Sequence, residues 1–230
     1  ETMVTEDKHE PCFPNKVNFV QHAIKPAGRK GRPSGGLEWY CNPRLKARLK
    51  SASDHHLTIA FEDFTVVGCY FRPGLEMDTI SAILIDQLRA VPNPERVIVG
   101  GDFNLRVDSD GFREVATILE SAGLSQNSNP ATDTYFHFRG SSAIDHIFTT
   151  TGMGVINCQT KNLGISDHAT VFVKLSVPRN SQPSMLSDDK SRFFNIDACV
   201  ANLEELVPDE DMDVDVSVTR IATVFDKNEL

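Results

Sequence analysis

Apolar and polar positions alternate along short stretches of the chain, and their β-branched and aromatic content predicts strands. These fall at Lys16–Ile24, Gly35–Asn42, Leu57–Phe61 and Thr65–Phe71, each punctuated by Gly, Pro or Asp. The period then changes. From Leu75 to Ala90 the residues Met77, Ile80, Ile83, Leu84 and Leu88 recur at three- and four-residue spacing, which predicts a helix stopped before Pro92 and Pro94. Arg96–Gly100, built on Val97-Ile98-Val99, is too short and too β-branched for a helix and reads as a buried strand. A second helix is predicted over Phe112–Ala122, with Val115, Ile118 and Leu119 inward and Gly123 closing it. Strands are expected again at Thr134–His137, Ala143–Thr149, Val155–Thr160 and Ala169–Val177.

After Pro178 the pattern stops. Residues 179–191 are rich in Ser, Pro, Asn and Asp and read as a linker, followed by a short helical stretch at Asn195–Leu206 and an acidic run at Asp209–Asp215. No internal repeat is visible. The expected organisation is one domain over residues 1–177 and a polar linker with an acidic tail over 178–230. Many strands with two or three helices imply an α/β domain of two packed sheets with helices outside.

Charge changes this picture in one respect. The formal charge is −9 over 230 residues, which at first argues against a polyanionic partner. Yet residues 197–230 hold ten acidic and two basic residues, so the preceding body is nearly neutral. Within it, Lys25 to Lys50 carries eight Lys or Arg against the single Glu38, a local basic footprint suited to nucleic acid. A solvated loop face would look the same by charge alone. Cys12, Cys41, Cys69, Cys158 and Cys199 are odd in number, and no two are spaced C-x-x-C. Free, buried thiols in a reducing compartment are expected, with a nuclear or cytoplasmic address. No apolar run approaches the ~20 residues that span a bilayer, and no signal peptide is legible, so no membrane partner is expected.

Three motifs carry candidate chemistry. Gly100-Gly101-Asp102-Phe103-Asn104 follows the buried strand directly. The glycines permit a sharp turn, and Asp102 and Asn104, two apart in extended chain, share a face while Phe103 turns back. A carboxylate that orients water beside an amide that donates suits a phosphate; an Asx-rich turn ending a strand is the alternative. Ser166-Asp167-His168 stands at the mouth of the last strand, where an Asp–His pair is costly to desolvate. Asp145 interrupts the apolar stretch Ala143–Phe148, and a carboxylate there can orient an imidazole and favour its cationic form. Each of these alone is also what a satisfied polar group at a strand end looks like. His137 and His146 read as structural, and His55 and His56 as a surface turn.

In this order, Gly101–Asn104, Asp145-His146 and Ser166–His168 resemble the endonuclease/exonuclease/phosphatase superfamily of apurinic endonucleases and the pancreatic-type DNase. The resemblance implies a four-layer α/β/β/α sandwich of two mixed sheets, whose first strand is missing from these residues. It implies that Glu1, in Glu1-Thr2, and Asp167 bind Mg²⁺, with Mn²⁺ as an alternative. Asp102 would then orient or deprotonate the attacking water, Asn104 and Tyr70 would hold the phosphate, and His168 paired with Asp145 would donate to a non-bridging oxygen. Within the superfamily the chain looks closest to the endonuclease domain of non-LTR retrotransposons. Gly35-Gly36-Leu37 after a basic loop, Tyr70–Pro73, Thr132–Thr134 and Ser142–Asp145 carry that likeness, as does the polar linker, after which such proteins continue toward a polymerase. DNA is the implied partner, contacted by Lys25, Arg29, Lys30, Arg32, Arg72 and Thr134. A deadenylase-like hydrolase acting on RNA, or a truncated non-catalytic remnant, is the alternative.

Overall fold

The computed structural model describes residues 16–21, 36–164 and 166–176. Its centre is a six-stranded mixed sheet made of β3 (Arg48–Ser53), β4 (His56–Ala60), β5 (Thr65–Tyr70), β6 (Val97–Asp102), β10 (Asp145–Thr150) and β7 (Leu124–Gln126), in that spatial order. Only β5 and β6 run parallel, joined by a crossover through α1 (Met77–Ala90); the other neighbours are antiparallel. α2 (Asp110–Ser121) follows β6, its first turn capped by the Ser109 hydroxyl, which accepts from Phe112 N–H at 3.2 Å.

Alternation along β5 and β6 supplies two cores. Val67, Cys69, Val97 and Val99 face α1 and α2, where they pack with Ile80, Leu84, Phe112, Val115 and Leu119. Val66, Tyr70 and Ile98 face the opposite way. That second core is closed by β2 (Leu37–Cys41), paired with β1 (Val17–Gln21), and by β12 (Thr170–Ser176), paired with β11 (Gly154–Lys161). Trp39, Val171, Val173 and Leu175 are its main contributions from this layer. Mixed sheets packed with helices make the expected α/β sandwich, and among the described residues it stacks as helices, central sheet and facing strands. Among the described residues the facing layer is two separate antiparallel pairs, and no helix covers its outer side.

All eleven elements expected in the domain have an observed counterpart, which differs in its end residues where those are described. At β4 the shift corrects one reading: His56 belongs to the strand and is buried, with Ser53 Oγ at 2.8 Å from its Nδ1, and not in a surface turn. β3, β7 and β9 (Gly140–Ser142) were not anticipated. Of the cysteines, Cys41 and Cys69 are buried free thiols, pushed up to about 12 by burial, and Cys158 is half-buried and free. The expected linker, short helix and acidic tail lie outside the described residues, as do Cys12 and Cys199.

Candidate active site

The site forms where the C-terminal ends of β5 and β6 meet the start of β12. A glycine brings it about. β6 approaches β5 so closely that a Cβ on Gly101 would stand 1.8 Å from the Cys69 carbonyl oxygen, a contact no side chain survives. The next residue, Asp102, closes β6 opposite Asp145 on β10 and beside Tyr70 on β5. Tyr70, Asp102 and Asp145 are all buried. Like charges directly opposed across a ladder repel, so this pairing is unfavourable unless positive charge is near.

His168 brings one such charge. Its Nδ1 lies 2.9 Å from Asp145 Oδ2, and its backbone forms a bridge to Tyr135 on β8 (Tyr135–His137), whose ring sits 4.8 Å from the imidazole. Ligating atoms of Asp102, Asp145 and His168 all fall within 4.8 Å of one another. Burial, and then the charge of Asp145, raise the Asp102 pKa from 3.8 to about 7, partly offset by His168 and the Asn104 N–H. Burial works against charge on His168, yet the hydrogen bond and charge of Asp145, then Asp102 and Asp167, hold its pKa above the ordinary value. The remaining oxygen of Asp145, Oδ1, is buried without a hydrogen-bond partner.

The other expected residues are placed less uniformly. Asn104 sits at φ +49, with its N–H donating to Asp102 Oδ1 at 2.9 Å. Its Nδ2 donates to Phe71 O at 3.0 Å and to Asp102 Oδ2 at 3.1 Å, so both amide hydrogens already serve protein acceptors. Asp167 is exposed, bonded by the Ser166 hydroxyl at 3.2 Å, and its carboxylate stands outside the three-residue cluster. Arg72 is exposed. Thr134, expected to touch DNA, is buried: its Oγ1 accepts from Ile144 N–H at 3.1 Å and Asp145 N–H at 3.0 Å, bracing Asp145 from within. Glu1, Lys25, Arg29, Lys30 and Arg32 lie outside the described residues.

Sequence reasoning missed one feature of the site. β8 and β9 form a hairpin whose turn presents Phe138, 81% exposed, with the Arg139 guanidinium 4.9 Å above its ring. The hairpin is tied to the site, since Phe136 N–H donates to Asp167 O at 2.7 Å and Ala169 N–H to Thr134 O at 2.6 Å. The run Tyr135-Phe136-His137-Phe138-Arg139-Gly140 was the available signal, because so many aromatics around a turn cannot all be buried.

Two buried carboxylates and a part-buried imidazole thus stand together at the mouth of a layered α/β sandwich. Residues 32–168, more than half of the chain, match the Endonuclease/Exonuclease/phosphatase family, and the chain belongs to that family. Its members are divalent-metal-dependent hydrolases acting on phosphodiester bonds. Among solved structures the chain is similar to the endonuclease domain of TRAS1, a telomere-specific non-LTR retrotransposon, at 17% identity and TM-score 0.57, over 71% of this chain and 81% of that one. It is similar also to the 3′-5′ exonuclease NExo from Neisseria meningitidis, at 15% identity and TM-score 0.52, over 76% and 86%. A further likeness is to the 3′ phosphatase NExo from Neisseria bound to product DNA hairpin, at 14% identity and TM-score 0.53, over 77% and 86%. No curated protein matches the chain in sequence.

Proposed function

We propose that this chain is a Mg²⁺-dependent endonuclease that nicks DNA. The observation that carries the reading is the cluster of Asp102, Asp145 and His168, two buried carboxylates against one part-buried imidazole, with Asp145 Oδ1 unpartnered. Such an excess of buried oxygen charge fits a hard divalent cation, which prefers carboxylate oxygens. Asp167 and Glu1 are the residues assigned to hold it, with the cluster carboxylates adding to the field. When bound, the cation would offset negative charge building on the phosphoryl oxygens.

The chain's own groups supply the rest. Asp102, with a pKa near neutrality, can orient water and take its proton at Oδ2 or Oδ1. Asn104 N–H and Nδ2 fix that carboxylate; for the amide to reach a phosphate, one of its present bonds must open. Asp145 takes the Nδ1–H of His168, which orients the ring, favours the cation and leaves Nε2–H as donor to a phosphoryl oxygen. Tyr70 lies beside Asp102 at the floor of the site. Phe138 and Arg139 on the adjoining hairpin offer an aromatic face and a cation to a base and its phosphate.

Supercoiled plasmid tests the reading. With Mg²⁺ the protein should convert it to the nicked circle and leave a 3′-hydroxyl. Asp102→Ala and His168→Ala should each lower the rate by about 10²–10³, the scale for losing one transition-state donor. Undiminished nicking in EDTA would refute metal dependence, and cleavage of RNA without DNA would move the substrate to RNA.

A further inference from the structure

Asp145 and His146 are adjacent on β10 and therefore project to opposite faces of the sheet. Asp145 reaches the site. His146 is buried on the helix side, between Phe103 at 5.7 Å and Phe112 at 4.4 Å between ring centroids. Its Nε2 lies 3.1 Å from the Leu105 carbonyl oxygen, which can only accept, so the proton of the neutral ring is on Nε2. Nδ1 is then an acceptor, and the Gln126 amide nitrogen stands 3.4 Å away, itself 3.3 Å from Ser128 Oγ. Both ring nitrogens are thereby matched to groups of the correct sense.

What this bond holds is the turn after β6. Asn104 occupies the left-handed region at φ +49, which a non-glycine residue keeps only where its surroundings over-determine it. Two of its anchors are the bonds to Asp102 and Phe71. The carbonyl of the next residue is fixed from β10 by His146, and the Leu105 side chain is pressed against the start of α2, where a Cβ on Gly111 would lie 3.2 Å from it.

We propose that His146, its Nε2–H directed at the Leu105 carbonyl and its Nδ1 facing Gln126, is a positioning residue: it fixes the Asn104–Leu105 turn and, through Asn104, the carboxylate of Asp102. The kinetic consequence rests on the endonuclease reading, whereas the structural consequence does not. His146→Leu removes the donor and keeps an apolar body, while His146→Gln retains an amide donor. In metal-free buffer without substrate, hydrogen exchange at the Asn104 N–H should quicken about tenfold in His146→Leu, the scale of one missing hydrogen bond. It should return toward wild type in His146→Gln, with Val99 and Phe148 N–H unchanged throughout. In the plasmid assay, kcat should fall about 10- to 100-fold at unchanged KM, as for groups that orient an active-site ligand. Adding Asn104→Ala to His146→Leu should lower kcat no further than Asn104→Ala alone. Unchanged exchange at Asn104, or kinetic losses that multiply, would overturn the proposal. Should His146→Leu fail to fold, His146→Phe takes its place: it keeps a ring beside Phe103 and Phe112 without the donor to Leu105, and unchanged Asn104 exchange there overturns the proposal equally. A wild-type chain that does not nick refutes the endonuclease reading and leaves the exchange measurement to decide on His146.

Discussion

Replacing Asp102 with Asn should stabilise the protein at alkaline pH while abolishing its activity. Burial and the opposed Asp145 carboxylate raise the Asp102 pKa from 3.8 to about 7. A raised pKa in the folded state means the fold favours the protonated form. This contribution to stability is therefore complete below about pH 4 and is lost as pH rises through 7. The displacement of about three pH units corresponds to a loss on the order of 4 kcal/mol at pH 8.5 in the absence of metal. Asn removes that charge, yet one of its amide positions must oppose the donating Nδ2 of Asn104, now 3.1 Å from Asp102 Oδ2, which costs about 1 kcal/mol. The net expectation is that Asp102→Asn exceeds wild type by about 2–3 kcal/mol at pH 8.5 in EDTA. At pH 4 the order should reverse by about 1 kcal/mol, because only the missing bond remains. Urea denaturation at the two pH values reads both differences directly, and saturating Mg²⁺ should narrow the gap at pH 8.5 by stabilising wild type. A variant that is no more stable than wild type at pH 8.5, with the same difference at pH 4, would refute a desolvated, charge-opposed Asp102.

Gly101→Ala places a methyl 1.8 Å from the Cys69 carbonyl, so β5 and β6 must separate; a loss above about 4 kcal/mol is expected, and a thermal melt near wild type would contradict it. Phe138→Ala should leave the melting temperature unchanged, since the ring is exposed, and weaken single-strand or nicked-DNA binding by about 1–3 kcal/mol in fluorescence anisotropy. Neutralising Lys25, Arg29, Lys30 and Arg32 together should flatten the dependence of log K on log salt by about 0.9 for each phosphate no longer neutralised, whereas an unchanged slope would make the segment a solvated loop.

The sequence by itself determined the elements whose side chains repeat with a period. β5, α1 and β6 were legible because Val66-Val67, the Met77–Leu88 stripe and Val97–Val99 announce burial locally. The three motifs were equally legible, since Asp102, Asp145 and Asp167-His168 each interrupt or end such a run. β3 was not: Arg48-Leu49-Lys50-Ser51-Ala52-Ser53 is polar and mostly exposed, and it is a strand only because it hydrogen-bonds along the edge of β4. β7 and β9 are likewise three-residue strands defined by their partners. Only the tertiary structure decided which polar groups face the site and which are used inside. Thr134 was expected to touch DNA, but its hydroxyl holds the backbone of Ile144 and Asp145. The Asn104 amide was expected to meet phosphate, but it holds Asp102 and Phe71. His146, beside Asp145 in sequence, faces the other core and reaches Leu105, 41 residues away. Periodicity is a property of neighbours along the chain, whereas a hydrogen-bond partner or a neighbouring charge belongs to segments that meet only on folding. That is why the motifs could be read in advance while the direction of each donor, and the raised pKa of Asp102, could not.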